Sequence, residues 1–320
     1  MFNRRFVLAT LMGLPLAMSA LPLSANAHED PIKVVASFSI VGDMVKEIGG
    51  NHVDVTTLVG PDGDAHVYEP TPADAKKLGE AKVLFENGLT FESWLPRLVD
   101  ASGFKGIRVV VSDGIKPRAF AHKHDHHDHT NGDHEHHDHA AHDHGPNDPH
   151  AWQNVANAVI YANNIATALE KLDPEHAPFY KTRASAYVTK LEMLDAKLKA
   201  TFAAIPEAQR KVVSSHDAFG YFGDAYGITF IAPEGVSTET EASAADVARI
   251  IDQIREDKIT AVFVENITST KLTEQIARAT NAKIGGRLYS DALAKTGEPA
   301  ATYIGMIEWN ANQLARALAP

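Results

Sequence analysis

Eight short runs rich in β-branched residues, set in two groups of four, leave this 320-residue chain few folds to choose from. The first group is 32–38 (IKVVASF), 53–59 (VDVTTLV), 82–87 (KVLFEN) and 107–113 (IRVVVSD). The second is 211–216 (KVVSSH), 228–234 (ITFIAPE), 261–266 (AVFVEN) and 282–290 (AKIGGRLYS). Each is short and ends in a turn signal, as buried strands do. Helical patterns separate them at 71–81, 243–257, 270–280 and 301–318, with Thr71 a candidate N-cap before Pro72 at the first helical position. Strands alternating with helices predict an α/β protein whose parallel sheets carry helices on both faces.

Two further helical stretches lie between the groups, at 151–171 and 174–204. Within the second, YKTRASAYVTKLEMLDAKLKATFAAI contains no Gly or Pro. As one helix, 174–204 would span roughly 45 Å at 1.5 Å per residue. Tyr187, Leu191, Leu194 and Leu198 form a single apolar stripe along it. The stretch reads as a stiff connector between two α/β blocks, or as two helices broken near the middle.

A chain this long buries roughly three-quarters of its unfolded surface, so it needs neither disulfide nor metal merely to fold. There is no cysteine, which excludes disulfides, thiolate nucleophiles, Cys-based zinc fingers, iron–sulfur clusters and a lipid-modified cysteine. Any metal site must use His, Asp or Glu. The 30 Lys+Arg against 41 Asp+Glu give a net charge of −11, which argues against nucleic acid as a partner and suits cations.

Residues 1–27 read as a secretory signal peptide: Arg4 and Arg5, an apolar run, then Ala25-Asn26-Ala27 as the cleavage signal. The paired arginines also loosely match a twin-arginine signal. No later apolar run reaches the roughly 18 residues of a membrane helix. The expected location is therefore the periplasm of a two-membrane bacterium, without membrane anchorage.

Histidine is abundant (17) and unevenly placed. Residues 122–144 hold eleven: His122, His124, His126, His127, His129, His134, His136, His137, His139, His142 and His144. Interleaved with Asp and Glu and nearly free of apolar side chains, this stretch cannot build a core and is expected to be a solvated loop. Elsewhere, His66 follows the second run, His150 opens a helix after the His-rich stretch, and His216 ends the fifth run. Asp291 ends the eighth. Open α/β sheets bind ligands beyond the carboxyl ends of their strands. Three imidazoles and a carboxylate fit Zn²⁺, although each residue taken singly also fits an ordinary surface or satisfied core position. His52 and His176 are read as such ordinary residues. Glu265, Asp217, Glu69 and Tyr68 are candidates to orient the rings, Glu265 also as an outside ligand, and each is equally readable as a turn or cap residue. Trp94 and Trp152 read as packing residues.

The motifs HVYEPTPAD at His66, NGLTFESWL at 87–95, DPHAW at His150, HDAFGYF at His216 and SDAL at Asp291 extend through nearly the whole mature chain. With the His-rich insertion ahead of DPHAW, they resemble the metal-binding proteins of bacterial zinc and manganese ABC importers, the cluster A-I solute-binding proteins. The resemblance implies two Rossmann-like lobes joined by one long rigid helix: an N-terminal lobe at 28–173, the helix at 174–204 and a C-terminal lobe at 205–320. It implies one ion held between the lobes by His66, His150, His216 and Asp291. Small lobe shifts and loop ordering, not wide hinge closure, would accompany binding. Histidine at 216, where many manganese-type members carry Glu, points to Zn²⁺ as the transported ligand. The implied partners are an ABC permease with its ATPase, and a periplasmic zinc chaperone in some members; the carrier is expected to be a monomer. Two departures stand out: Ala65 replaces a common Pro, and the cysteine pair of some zinc-type members is absent.

Four protein ligands leave no open position, so the expected protein is a carrier and not an enzyme. A zinc hydrolase would need an open position and a general base, and HEHHD at 134–138 misses H-E-x-x-H because Asp138 replaces the second His. A manganese carrier of the same family is the nearer alternative, a surface adhesin a remoter one. The His-rich stretch reads as a low-affinity zinc collector, a docking segment for another metal carrier, or a dispensable insertion.

Overall fold

The computed structural model describes residues 30–119 and 147–319. The expected signal peptide at 1–27 and the eleven histidines of 122–144 lie outside the described residues. Strands β1 (Ile32–Phe38), β2 (Val53–Val59), β3 (Val83–Glu86) and β4 (Ile107–Val110) form one sheet in the order β2-β1-β3-β4. Strands β5 (Lys211–Val213), β6 (Thr229–Ile231), β7 (Ala261–Glu265) and β8 (Lys283–Leu288) form a second in the order β6-β5-β7-β8. All pairings are parallel, so the four carboxyl ends of each sheet share one edge.

In the first lobe, β1 leads into α1 (Ser39–Gly49), β2 into α2 (Pro72–Glu80) and β3 into α3 (Leu95–Ser102). In α2, Thr71 Oγ1 accepts the Asp74 N–H and Asp74 reaches back to the Thr71 N–H, a reciprocal cap with Pro72 just inside. The stretch predicted at 151–171 divides into a 3₁₀ turn, Ala151–Gln153, and α4 (Val155–Leu172), because the Asn154 side chain caps Ala156. The second lobe carries α6 (Gly220–Tyr226), α7 (Ala244–Asp257), α8 (Thr270–Ala279) and α9 (Tyr303–Leu318), with α5 (Ala177–Ala203) before it.

Helix α5 is unbroken over 27 residues, about 40 Å. It buries Tyr180, Ala184, Tyr187, Leu191, Leu194, Leu198 and Phe202, packing on α4 and α1 of the first lobe and on α9 and α6 of the second. Each large apolar side chain buried there stabilises by about 1.5–3 kcal/mol before entropy is counted. Around this helix one continuous core runs from Phe38 and Trp152 to Phe222, Tyr303 and Leu314. Hydrogen bonds cross between lobes as well. The Tyr303 N–H donates to Asp43 Oδ2 (2.8 Å) and the Tyr303 hydroxyl to Trp152 O (2.7 Å); the Leu293 N–H donates to Ser39 Oγ (2.9 Å). Among the described residues no helix is long and apolar enough to cross a membrane.

Candidate metal centre

Four buried side chains from the strand carboxyl ends and adjoining loops meet between the lobes: His66, His150, His216 and Asp291. His66 Nε2 lies 3.3 Å from His150 Nε2 and 3.1 Å from Asp291 Oδ2. His216 Nε2 lies 3.2 Å from Asp291 Oδ2, and His150 Nε2 3.5 Å from Asp291 Oδ1. Ligand atoms about 2.0–2.1 Å from a tetrahedral ion stand about 3.3 Å apart, so these spacings suit one small ion. His216 Nε2 and both Asp291 oxygens are buried without a hydrogen-bond partner. Such atoms are costly unless a cation or proton satisfies them.

Each ligand is held from behind. Trp94 Nε1–H donates to Ala65 O (2.8 Å) and Asp64 Oδ1 accepts the His66 N–H (2.9 Å). Asp64 Oδ2 also accepts from Thr238 of the second lobe (2.6 Å). Trp152 Nε1 (2.9 Å) and Gln153 Nε2 (2.7 Å) both donate to Ser290 O, fixing the residue before Asp291. The two tryptophans thus act as packing residues that strap ligand loops. Phe91, from the NGLTFESWL motif, stands edge-on to the rings of His66 and His150 and walls the site.

Carboxylates stand behind two of the rings. Asp148 Oδ1 lies 2.8 Å from His150 Nδ1 and accepts the His150 N–H (3.0 Å), which turns the Nε2 lone pair inward. Glu265 Oε2 lies 2.6 Å from His216 Nδ1, off the hydrogen-bond axis. Glu265 Oε1 accepts the N–H groups of Ser215 and His216 (2.8 and 2.9 Å). The carboxylate therefore approaches His216 from behind, on the Nδ1 side. The Ser214 N–H still donates to Ile231 O (3.0 Å), but the next two donors, of Ser215 and His216, turn to Glu265, which explains why β5 falls short of the expected 216.

The other candidates behave differently. Burial and Asp148 raise the Asp217 carboxyl while Arg118 lowers it, and the Asp217 N–H donates to Gly235 O (3.0 Å). Tyr68 donates to Asp74 Oδ2 (2.9 Å) in the cap of α2, and Glu69 is exposed, so neither orients a ring. Asp148 escaped the sequence reading, although its place two residues before His150 in NDPHAW was a signal for it.

The electrostatics are those of a site built for a cation. Burial pulls His150 down, but Asp291 and Asp148 prevail and hold it at about 9. His216 is likewise raised against burial, by Glu265 and Asp291. Burial lowers His66 despite Asp291. Asp291 lies well below its ordinary value because His150 and His216 outweigh burial.

A second group, His52, Asp173 and His176, brings potential donor atoms within 4.8 Å. It is half-buried, and the two rings stack with centroids 3.9 Å apart and planes 34° from parallel. Asp173 accepts from Tyr180 (2.7 Å) and contacts His176 Nδ1 (2.9 Å), as a cap of the turn before α5. The ordinary reading of both histidines fits this packing.

The chain is 33% identical over 300 residues, 92% of its length, to the iron ABC transporter substrate-binding lipoprotein MtsA of Streptococcus pyogenes serotype M1, covering 91% of that protein. It is 30% identical over 299 residues to the manganese ABC transporter substrate-binding lipoprotein PsaA of Streptococcus pneumoniae, covering 92% of this chain and 91% of the other. Its structure is similar to that of the periplasmic zinc binding protein TroA from Treponema pallidum, with a TM-score of 0.80, 30% identity, and 91% and 100% of the two chains covered. Fold, site and likenesses define the class: the substrate-binding protein of a metal ABC transporter. It acts outside the cytoplasm with a permease and an ATPase, and is not an enzyme. Residues 34–317 match ZnuA, zinc-uptake complex component A periplasmic, and the chain belongs to that family.

Proposed function

We propose that this protein captures Zn²⁺ in the periplasm and delivers it to an inner-membrane permease. The observation that carries this reading is the convergence of three imidazole nitrogens and one carboxylate within 4.8 Å of one another, with each nitrogen 3.1–3.5 Å from an Asp291 oxygen. A nitrogen-rich, tetrahedral set favours Zn²⁺ over Mn²⁺. His66, His150, His216 and Asp291 hold the ion; Asp148 and Glu265 orient two of the rings. The segment at 1–27, which reads as an export signal, supports a periplasmic location. Residues 122–144 act as a low-affinity collector that raises the local zinc concentration, or as a docking segment for a zinc chaperone.

A manganese carrier is the second reading, and one feature favours it. Asp291 faces the rings with both oxygens, Oδ2 toward His66 and His216 and Oδ1 toward His150. Bidentate binding would add an oxygen, which suits Mn²⁺. Chelator-competition titration of the mature protein lacking 122–144, with Zn²⁺ and Mn²⁺ in parallel, separates the two. One tight zinc site with far weaker manganese binding supports the zinc carrier. The reverse order makes it a manganese carrier, and no tight site in the folded protein removes the four-ligand assignment.

A further inference from the structure

The guanidinium of Arg118 sits between carboxylates of the two lobes. Its Nη1 lies 3.2 Å from Asp148 Oδ2, and its Nε donates to Asp224 Oδ2 of α6 at 3.0 Å. Asp148 is fully buried, and its other oxygen holds the ring and backbone N–H of His150. Backbone bonds close the same knot. Arg118 O accepts the Asp148 N–H (2.8 Å), the Arg118 N–H donates to the Tyr221 hydroxyl (2.8 Å), and that hydroxyl donates to Asp148 O (3.1 Å). The neighbouring strand-like bridge between Ala119 and Asn147 brings the two chain segments together at this point.

Space has been left for the arginine. A Cβ on Gly220, at the start of α6, would fall 2.4 Å from Arg118 Nη1 and 2.7 Å from Asp148 Oδ2. Glycine here lets the second lobe close over the ion pair. A carboxylate held at one oxygen only can swing about its bond. Held at both by a planar fork on one side and an imidazole on the other, it has one orientation.

We propose that Arg118 is a positioning residue for the metal cargo: through Asp148 it fixes the tautomer and direction of the His150 ring, and through Asp224 it ties that ligand to the opposite lobe, slowing escape of the ion. This rests on the reading of His66, His150, His216 and Asp291 as the cargo site. Partners behind metal-bound histidines commonly change affinity by about 10–100-fold, and Arg118 stands one bond further out.

The test uses the full chain and the variants Arg118→Gln, Arg118→Lys, Gly220→Ala and Asp224→Asn. Protein loaded with one equivalent of Zn²⁺ is mixed with excess chelator, and the slow release phase is timed. The His150 ring ¹⁵N shifts, which report the hydrogen bond from Nδ1–H to Asp148, are recorded on metal-free protein. Arg118→Gln is expected to speed release about ten-fold and to move the His150 shifts. Gly220→Ala should do the same with no change of charge, Arg118→Lys should restore part of the loss, and Asp224→Asn should have a smaller effect. Wild-type release and unmoved His150 shifts in both Arg118→Gln and Gly220→Ala would overturn the proposal, even if both variants melted earlier. If Arg118→Gln does not fold, the exposed Asp224→Asn and the lysine variant decide by the same readouts. If wild-type protein keeps Mn²⁺ and not Zn²⁺, the zinc reading fails. The positioning role is then judged from the metal-free shifts and from manganese release.

Discussion

The two lobes share one strand order, β2-β1-β3-β4 against β6-β5-β7-β8, yet they differ in how they join the rest of the molecule. The first lobe's core is continuous with α5 and with α9 of the second lobe. The outer part of the second lobe keeps a separate, smaller core around Val247, Ile250, Ile254 and Ile276. The four proposed metal-holding residues divide two and two between lobes, but their bracing is unequal. Asp148 is held on its far side by Arg118, whereas Glu265 is anchored by two backbone N–H groups of its own lobe. A long helix between lobes thus does not isolate them. It makes the ion-side half of the second lobe an extension of the first and leaves the α7–α8 side as the more independent part.

The largest expected effect tests whether both lobes are needed for the ion. His150→Ala and His216→Ala, one ligand from each, should each weaken zinc binding by a hundred-fold or more, about 3 kcal/mol if a structural site's binding energy is shared among four ligands. Competition against a chelator measures this; an intact affinity in either variant would remove that lobe from the site.

The unequal cores come next. Leu191→Ala and Ile250→Ala should each cost about 3 kcal/mol. In Leu191→Ala, hydrogen exchange should rise in both lobes together. In Ile250→Ala it should rise around α7, α8 and β7, with zinc affinity kept. Matching exchange patterns would erase the distinction between the two cores.

The braces give a smaller difference. Asp148→Asn and Glu265→Gln should each lower zinc affinity about 10–100-fold. Asp148→Asn should be the worse of the two. It also strips Arg118 of its buried countercharge, whereas the amide oxygen introduced by Glu265→Gln still accepts both backbone N–H groups. Titration of the two variants side by side checks the order.

The last comparison concerns protons, and its effect is read per unit of pH. His150 is held at about 9 and His216 is raised as well, so near neutral pH the metal-free site carries protons that zinc must displace. Affinity should therefore fall as pH drops from 9 to 7, by about ten-fold per unit for each proton displaced. Calorimetry in buffers of different ionisation enthalpy counts the protons released. His66, pulled the other way by burial, should contribute none of them.

Much of the scaffold was legible in the chain. The eight apolar runs became eight strands, and the apolar stripe of Tyr187, Leu191, Leu194 and Leu198 became the buried face of an unbroken α5. Strand ends were overestimated at 107–113, 211–216 and 228–234, where the strands stop at Val110, Val213 and Ile231. Past those points the chain is largely polar (Ser112-Asp113, Ser214-Ser215-His216, Pro233-Glu234) and the backbone turns away, at β5 toward the Glu265 carboxylate. Glu265 could be singled out because it ends a strand. Asp148 and Arg118 were not, since an Asp before Pro and an Arg after Pro also look like ordinary turn residues.

What the sequence by itself determined is local: which segments are strands and helices, where the caps fall, and that any metal ligands must be imidazole and carboxylate. These follow from side-chain periodicity and from composition, which act over a few residues. Only the tertiary structure decided that His66, His150 and His216 stand 3.1–3.5 Å from Asp291, that Asp148 and Glu265 stand behind two of the rings, and that Arg118 links both lobes to one of them. Those contacts join residues far apart in the chain. They exist only because α5 and the shared core hold the two sheet edges face to face.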